Sequence, residues 1–346
     1  MHMADALLSP IVGGVMFAVS TASIAYSVVK IKKDDMEDKK VPIMGVMGAF
    51  IFAAQMINFT IPVTGSSGHI GGGILLAALL GKFPAFLTIT AVLIIQALFF
   101  ADGGLLALGC NIFNMGIITC FFAYPLLFKP LVKKGLNFKS ITIASVISVI
   151  ISLQIGSFFV VLETWASGIT KLPFSAFIAL MQPIHLAIGV MEGIITAAVL
   201  YFVWQMRPEI LESANNRTKM NTISIKKVML TLIIITVLMG GAFSILASSH
   251  PDGLEWSMEK VLGTTDIKAE GGIFDIVAYI QKRTSFMPDY DFKSAGDDGS
   301  VTGSTVVGNS VAGLMGGGLT FIIAGVTGLM ISVAKKKKKK RLRYRA

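Results

Sequence analysis

Three nitrogens stand in one chelating run at the start of the chain, MHMADALLSP: the α-amine of Met1, the amide nitrogen of His2 once deprotonated, and Nδ1 of its imidazole. Together they close a five- and a six-membered ring in one plane and leave one equatorial position open. A planar set of nitrogen donors suits Ni2+ or Cu2+ better than tetrahedral Zn2+. The geometry requires that Met1 be retained, as expected where residue 2 is as large as histidine. The fourth donor must come from elsewhere, and the other histidines are His69, His185 and His250. His69 lies in TGSSGHIGGG, where glycines admit backbone conformations closed to other residues and let a second segment come close. That loop is suited to bring an imidazole to an inserted amino terminus. The plain alternative is an exposed His2 and a His69 that belongs only to its turn.

A second group lies within apolar sequence. His185, in QPIHLAIGVMEG, is followed seven residues on by Glu192, so two helical turns put them on one face. Ionisable residues at such depth are functional candidates, and Pro183 is placed to kink the helix. The pair reads as a proton relay, as support for a buried metal-binding terminus, or as a mutually satisfied structural pair. In ADGGLLALGCNIFNMG, Asp102 is near the outer end, and Asn111 and Asn114, three apart, share a helix face. Packing by interhelical hydrogen bonds is the default reading and a metal route the sharper one. Asp5 and Ser67, neighbours of His2 and His69, complete the candidate supports. Cys110 and Cys120 match no thiolate metal spacing or disulfide framework. The absence of GxxxxGK[ST], of a Ser-His-Asp set and of paired carboxylates argues against an ATPase or an intramembrane enzyme in this chain.

The elements that must position these residues follow from composition. The chain has 346 residues, 54% hydrophobic and only 14% charged, against about 25% charged in an ordinary soluble domain. The pattern predicts an all-α polytopic membrane protein with about nine spans, at 9–29, 42–61, 70–81, 84–100, 104–128, 140–162, 174–205, 228–247 and 307–334. Twelve residues are too few to cross untilted, so 70–81 is expected to be broken or re-entrant. Alternating ten-residue barrel strands are absent. With the amino terminus outside, 24 of the 30 lysines and arginines fall on the cytoplasmic side. The net charge of +10 therefore describes membrane edges and lipid headgroups rather than nucleic-acid binding, and the tail 335–346 fits an anionic leaflet. The opening segment does not read as a cleavable signal, because its basic residues follow the apolar stretch.

Charge divides the chain into a bundle over 1–205, a cytoplasmic linker over 206–227, and a two-helix unit over 228–334 that encloses an exterior loop at 248–306. The loop is expected to be a small, partly ordered domain with a short amphipathic helix at GIFDIVAYIQKR. Gly313 and Gly317 stand in the GxxxG spacing of packed membrane helices.

MHMADALLSP, GSSGHIGGG, DGGLLALGCNIFNMG and HLAIGVMEG, in this order, resemble the CbiM/NikM substrate-binding components of energy-coupling factor transporters for cobalt and nickel. The segment ASSHPDGLEWSMEKV resembles the PDGLE-type, NikN-like small component fused to many nickel members. The resemblance implies a seven-helix bundle plus a two-helix hairpin in a bacterial or archaeal cell membrane. It implies that Met1, His2 and His69 hold a transported Ni2+ or Co2+, with no permanently bound cofactor. It also implies a transmembrane T component (CbiQ/NikQ-like) and cytoplasmic ATP-binding subunits (CbiO/NikO-like) as partners, so no residue for ATP chemistry is expected here. One departure is Ala6-Leu7 after Asp5, where many members have glycine and then an aromatic or aliphatic residue. The competing expectations are a proton-coupled secondary transporter using His185 and Glu192, and a membrane interaction protein acting through its exterior loop.

Overall fold

The computed structural model describes residues 1–33, 39–216, 225–265, 267–292 and 306–343. In chain order its helices are α1 (Pro10–Lys33), α2 (Lys40–Gln55), α3 (Gly73–Leu80), α4 (Lys82–Phe99), α5 (Leu108–Val132), α6 (Phe138–Ser167), α7 (Phe174–Met206), α8 (Pro208–Asn216), α9 (Lys226–Gly241), α10 (Gly253–Leu262), α11 (Ile273–Thr284) and α12 (Val306–Arg343). The one sheet among the described residues is an antiparallel hairpin of β1 (Phe59–Ile61) and β2 (Ser66–Gly68).

In lipid a helix satisfies its own backbone, which is why apolar runs of this length take that form. Among the described residues, six helices are long and apolar enough to cross a membrane: α1, α4, α5, α6, α7 and the part of α12 from Val307 to Ala334. The chain is a multi-pass, all-α membrane protein. The other three predicted spans are shorter helices: α2 and α9 have 16 residues each and α3 has 8. At about 1.5 Å per residue α3 reaches only about 12 Å, well short of a ~30 Å hydrocarbon core. Gly72 (φ 78°) begins it and Gly81 (φ 83°) turns it directly into α4. All eight of its residues are buried, against α4, α5, α7 and α8. The predicted span 42–61 ends early because Phe59–Ile61 is strand β1.

The two-helix unit packs on the bundle through α2, with α9 and α12 both against it. Glycine permits the contact: a Cβ on Gly313 of α12 would meet the backbone oxygen of Gly240 in α9 at 2.5 Å. Within 248–306, predicted as an exterior loop, α11 takes up the predicted amphipathic segment from Ile273 on. α10 was not predicted, although Asp252 and Glu255 form its reciprocal capping box. In the predicted linker, α8 tucks Ile210 and Leu211 into the core; residues 217–224 lie outside the described residues.

Candidate metal centre

The first eight residues run into the protein rather than away from it. Met3, Leu7 and Leu8 are fully buried, in a cluster with Cys110 of α5, Val160 of α6, Met181 of α7, and Leu254 and Met258 of α10. A buried backbone needs partners for its N–H and C=O groups, and side chains supply them. Asn111 accepts from the Met3 N–H (2.8 Å) and donates to the Met3 carbonyl (3.3 Å), which also accepts from the Gly104 N–H (2.9 Å). Asp5 accepts from the Ala107 N–H at 3.0 Å. Burial raises the Asp5 carboxyl, against the lowering effect of backbone N–H groups at 105–107. The inserted segment is thereby fixed to the turn that leads into α5.

His69 is held by the irregular backbone between β2 and α3. Glu192 of α7 accepts from the Gly72 N–H at 2.8 Å, while Gln55 of α2 donates to the Gly71 carbonyl at 3.0 Å and accepts from Gln96 of α4 at 2.7 Å. These buried polar side chains supply the hydrogen-bond partners that a buried loop backbone needs. The His69 ring lies parallel to that of His2, with centroids 5.3 Å apart and planes within 11°. Its Nδ1 is 3.1 Å from the Ile70 carbonyl, so Nδ1 carries the hydrogen and Nε2 keeps a lone pair. Burial, then the positive amino terminus and His2, lower its pKa to about 4, which keeps the ring neutral and able to ligate.

The segment 248–262 closes over the same loop. Ser67 donates its N–H to the Pro251 carbonyl (2.8 Å) and its hydroxyl to the His250 carbonyl (2.7 Å), and the Trp256 indole donates to the Thr64 carbonyl (2.9 Å). This docking delivers Asp252, whose carboxylate takes the Met1 ammonium at 2.9 Å. Burial would raise Asp252, but the ammonium together with the Glu255 backbone N–H outweighs it and holds the carboxyl well below the ordinary range. The neighbouring Glu255 is pushed up to about 7 by burial and by Asp252. Across the site, Asp102 pairs with His2 Nδ1 at 3.0 Å and accepts from the Tyr290 hydroxyl. Against its burial, those two partners hold Asp102 at about 2.

A cavity of about 20 Å3 lies among Met1, His69, Met115, His185 and Asp252, room for about one water-sized species. His185 directs Nδ1 to the Met181 carbonyl at 2.8 Å, and its buried Nε2 makes no hydrogen bond among the described residues. Three imidazoles, those of His2, His69 and His185, with an amine and a backbone amide therefore converge on one end of the bundle, with two carboxylates beside them. Such a set favours a nitrogen-seeking divalent cation. Among the described residues no three His, Cys, Asp or Glu side chains are arranged to hold a metal, so the donors on offer include backbone nitrogens.

Of the residues singled out in the sequence, Met1, His2 and His69 come together here. Asp5, Ser67 and Asn111 fasten the segments that carry them. Asn114 donates to Glu163 of α6 at 2.8 Å. His185 and Glu192 do not hydrogen-bond each other; one lines the cavity and the other supports the His69 loop. His250 is exposed, and only its carbonyl touches the site. Sequence reading noted Asp102 without its partner His2, and missed Asp252, Glu163 and the Gln55–Gln96 pair. The signal for Gln55, Gln96 and Glu163 was the one used for Glu192, a polar side chain inside an apolar helix.

Residues 2–210 match the family described as CbiM, cobalt uptake substrate-specific transmembrane region, and residues 226–333 match the PDGLE domain. A protein of Archaeoglobus fulgidus named a fused nickel transport protein, NikMN, is 32% identical over 212 residues, covering 61% of this chain and 68% of that one. A protein of Methanosarcina barkeri named a cobalt transport protein, CbiM 2, is 32% identical over 218 residues, covering 61% of this chain and 92% of that one. Among solved structures, a truncated transition metal transporter is similar with a TM-score of 0.52 and 30% identity, covering 60% of this chain and 99% of that one.

Proposed function

The chain belongs to the CbiM family of cobalt uptake substrate-specific transmembrane regions and carries a PDGLE domain, and from that premise we propose that it captures Ni2+ or Co2+ for an ATP-driven importer. The observation that carries this reading is the stacking of His2 on His69 at 5.3 Å beside the Met1 amine. The Met1 amine, the His2 amide nitrogen and Nδ1, and His69 Nε2 are the four donors. Asp252 and Asp102 hold the amine and the His2 ring until the cation displaces their protons, and both carboxylates then remain to offset its charge. Capture is accordingly coupled to proton release. Nickel is favoured over cobalt by the planar donor set and by the fused PDGLE unit, which is also the arrangement of the relative named a fused nickel transport protein.

Residues 1–205 form the metal-binding bundle, 206–227 a cytoplasmic linker, 228–334 the PDGLE unit with its exterior loop, and 335–346 a basic cytoplasmic tail. The amino terminus, the His69 loop and α10 share the exterior end; α8 and the lysine-rich helix ends share the other. A transmembrane T component and cytoplasmic ATP-binding subunits complete the importer and supply the hydrolysis.

Metal content and competitive binding with Ni2+, Co2+, Cu2+ and Zn2+ test the reading on purified wild type, on a variant extended by one residue at the amino terminus, and on His2→Ala and His69→Ala. Wild type retains Ni2+ or Co2+ and all three variants lose it. The extension is the sharpest arm, since it keeps every side chain while converting the amine to an amide; equal retention by the extended protein would sink the chelate.

A further inference from the structure

A cleft of about 480 Å3 adjoins the candidate metal centre, sharing His2 and Asp252 with it, and is bounded by the inserted amino-terminal segment, the 101–104 turn, and the α10 and α11 region. Asp5, Asp102 and Asp252 line its depth, and Glu255, Glu270 and Asp289 join them from the exterior unit. Among the described lining residues the lysine is Lys268; Asp102 and Asp252 are already paired with His2 and the Met1 ammonium, so the excess of negative charge rests on Asp5, Glu255, Glu270 and Asp289. His2 lines the cleft, its side chain 6% exposed and its buried Nε2 without a hydrogen-bond partner among the described residues.

Size and charge point the same way. A divalent cation with six waters needs about 60–90 Å3 of such space, at ~10–15 Å3 per water, and fits the cleft. It is far too large for the 20 Å3 cavity beside Met1 and His69. An ion passing from the first to the second must therefore shed water; Asp252 lines both, and His2, stacked on His69, lines the first. A concave surface of one sign with low-dielectric walls concentrates counter-ions and raises association rates by about 10- to 1,000-fold. The carboxylates that complete this surface come from α10 and from the segments around α11, so the concavity exists only with the exterior unit docked.

Resting on the reading that Met1, His2 and His69 hold the metal, we propose that this cleft is the path by which the hydrated divalent cation reaches His2, and that Glu270 and Asp289 form its electrostatic funnel. The funnel sets the rate of capture. The nitrogen donors set how long the ion stays.

The test is stopped-flow association of Ni2+ with the full-length purified protein. A Glu270→Gln/Asp289→Asn double variant removes two charges from exposed positions that bond no proposed donor. Asparagine suits position 289 because its backbone is left-handed (φ 50°), a region asparagine tolerates. A second variant, Ala278→Cys labelled with a bulky uncharged maleimide, obstructs the cleft without altering charge. At low ionic strength the double variant associates roughly five- to tenfold more slowly than wild type. The difference vanishes near 0.5 M salt, where the screening length is only a few ångströms, and the dissociation rate is unchanged. The labelled variant is slow at every salt concentration. Wild-type rates in both variants, or a deficit in the double variant that persists in high salt with faster dissociation, overturn the path. In those cases wild type still captures Ni2+ and His2→Ala does not, so the metal-site reading survives. If wild type captures no Ni2+, that reading and the path fall together.

Discussion

Asn111 shows how one side chain can set the position of a donor it never touches. Its amide pairs with both polar groups of the Met3 backbone, one residue after the proposed ligand His2. Asn111→Leu preserves shape and removes both bonds. The Met3 carbonyl keeps the Gly104 N–H, whereas the Met3 N–H is left buried without a partner at a cost of about 1–3 kcal/mol. The inserted segment is weakened by that amount, and Ni2+ affinity falls by about fivefold to a hundredfold at an unchanged fold. Competitive binding titration measures it; wild-type affinity would reduce Asn111 to helix packing. Asn111 was legible in the sequence because an amide in an apolar helix has few reasons to be there. Asp102 and Asp252 were less so: each lies in an extramembrane stretch where an aspartate is unremarkable, and only the fold brings it to a nitrogen.

At the scale of elements, the β1–β2 hairpin is the least self-sufficient part of the site. Two strands of three residues are marginal alone, and this pair is held from outside by α10 through the Ser67–Asp252 bridge and the Trp256–Thr64 hydrogen bond. Trp256→Phe keeps an aromatic ring and deletes that bond. The cost of local opening drops by about 1 kcal/mol, and amide exchange over 59–70 quickens about fivefold while α6 is unaffected. Unchanged exchange would mean that the loop's own geometry suffices. The hairpin escaped sequence reading because Phe59–Ile61 continues the apolar run of α2 and is too short to show alternation. α10 was written more plainly, in the spacing of Asp252 and Glu255, but a four-residue cap is easily lost within a loop of mixed polarity. The amphipathic pattern of α11 runs for twelve residues and was legible for that reason.

Across the whole molecule, what could be read was one-dimensional. Apolar run length and charge placement revealed a polytopic helical protein in two parts, because a bilayer imposes its thickness directly on sequence. What could not be read was the pairing of positions far apart, such as Met1 with Asp252, separated by 251 residues. That pairing depends on the two parts being locked together, and the lock is helical: α2 is flanked by α9 and α12, with the Gly313 and Gly240 backbones in direct contact. A protease site placed within 217–224 therefore leaves the two halves associated after cleavage, detectable by co-purification on a tag at either end. Gly313→Leu drives a side chain into backbone that has no rotamer by which to yield. In the cleaved protein it separates the halves. In the intact chain it displaces α10 and slows Ni2+ capture, while the proposed donors Met1, His2 and His69, all in the first half, still retain the ion. If the cleaved wild type separates by itself, the linker and not the helix contact is what holds Asp252 against the amino terminus.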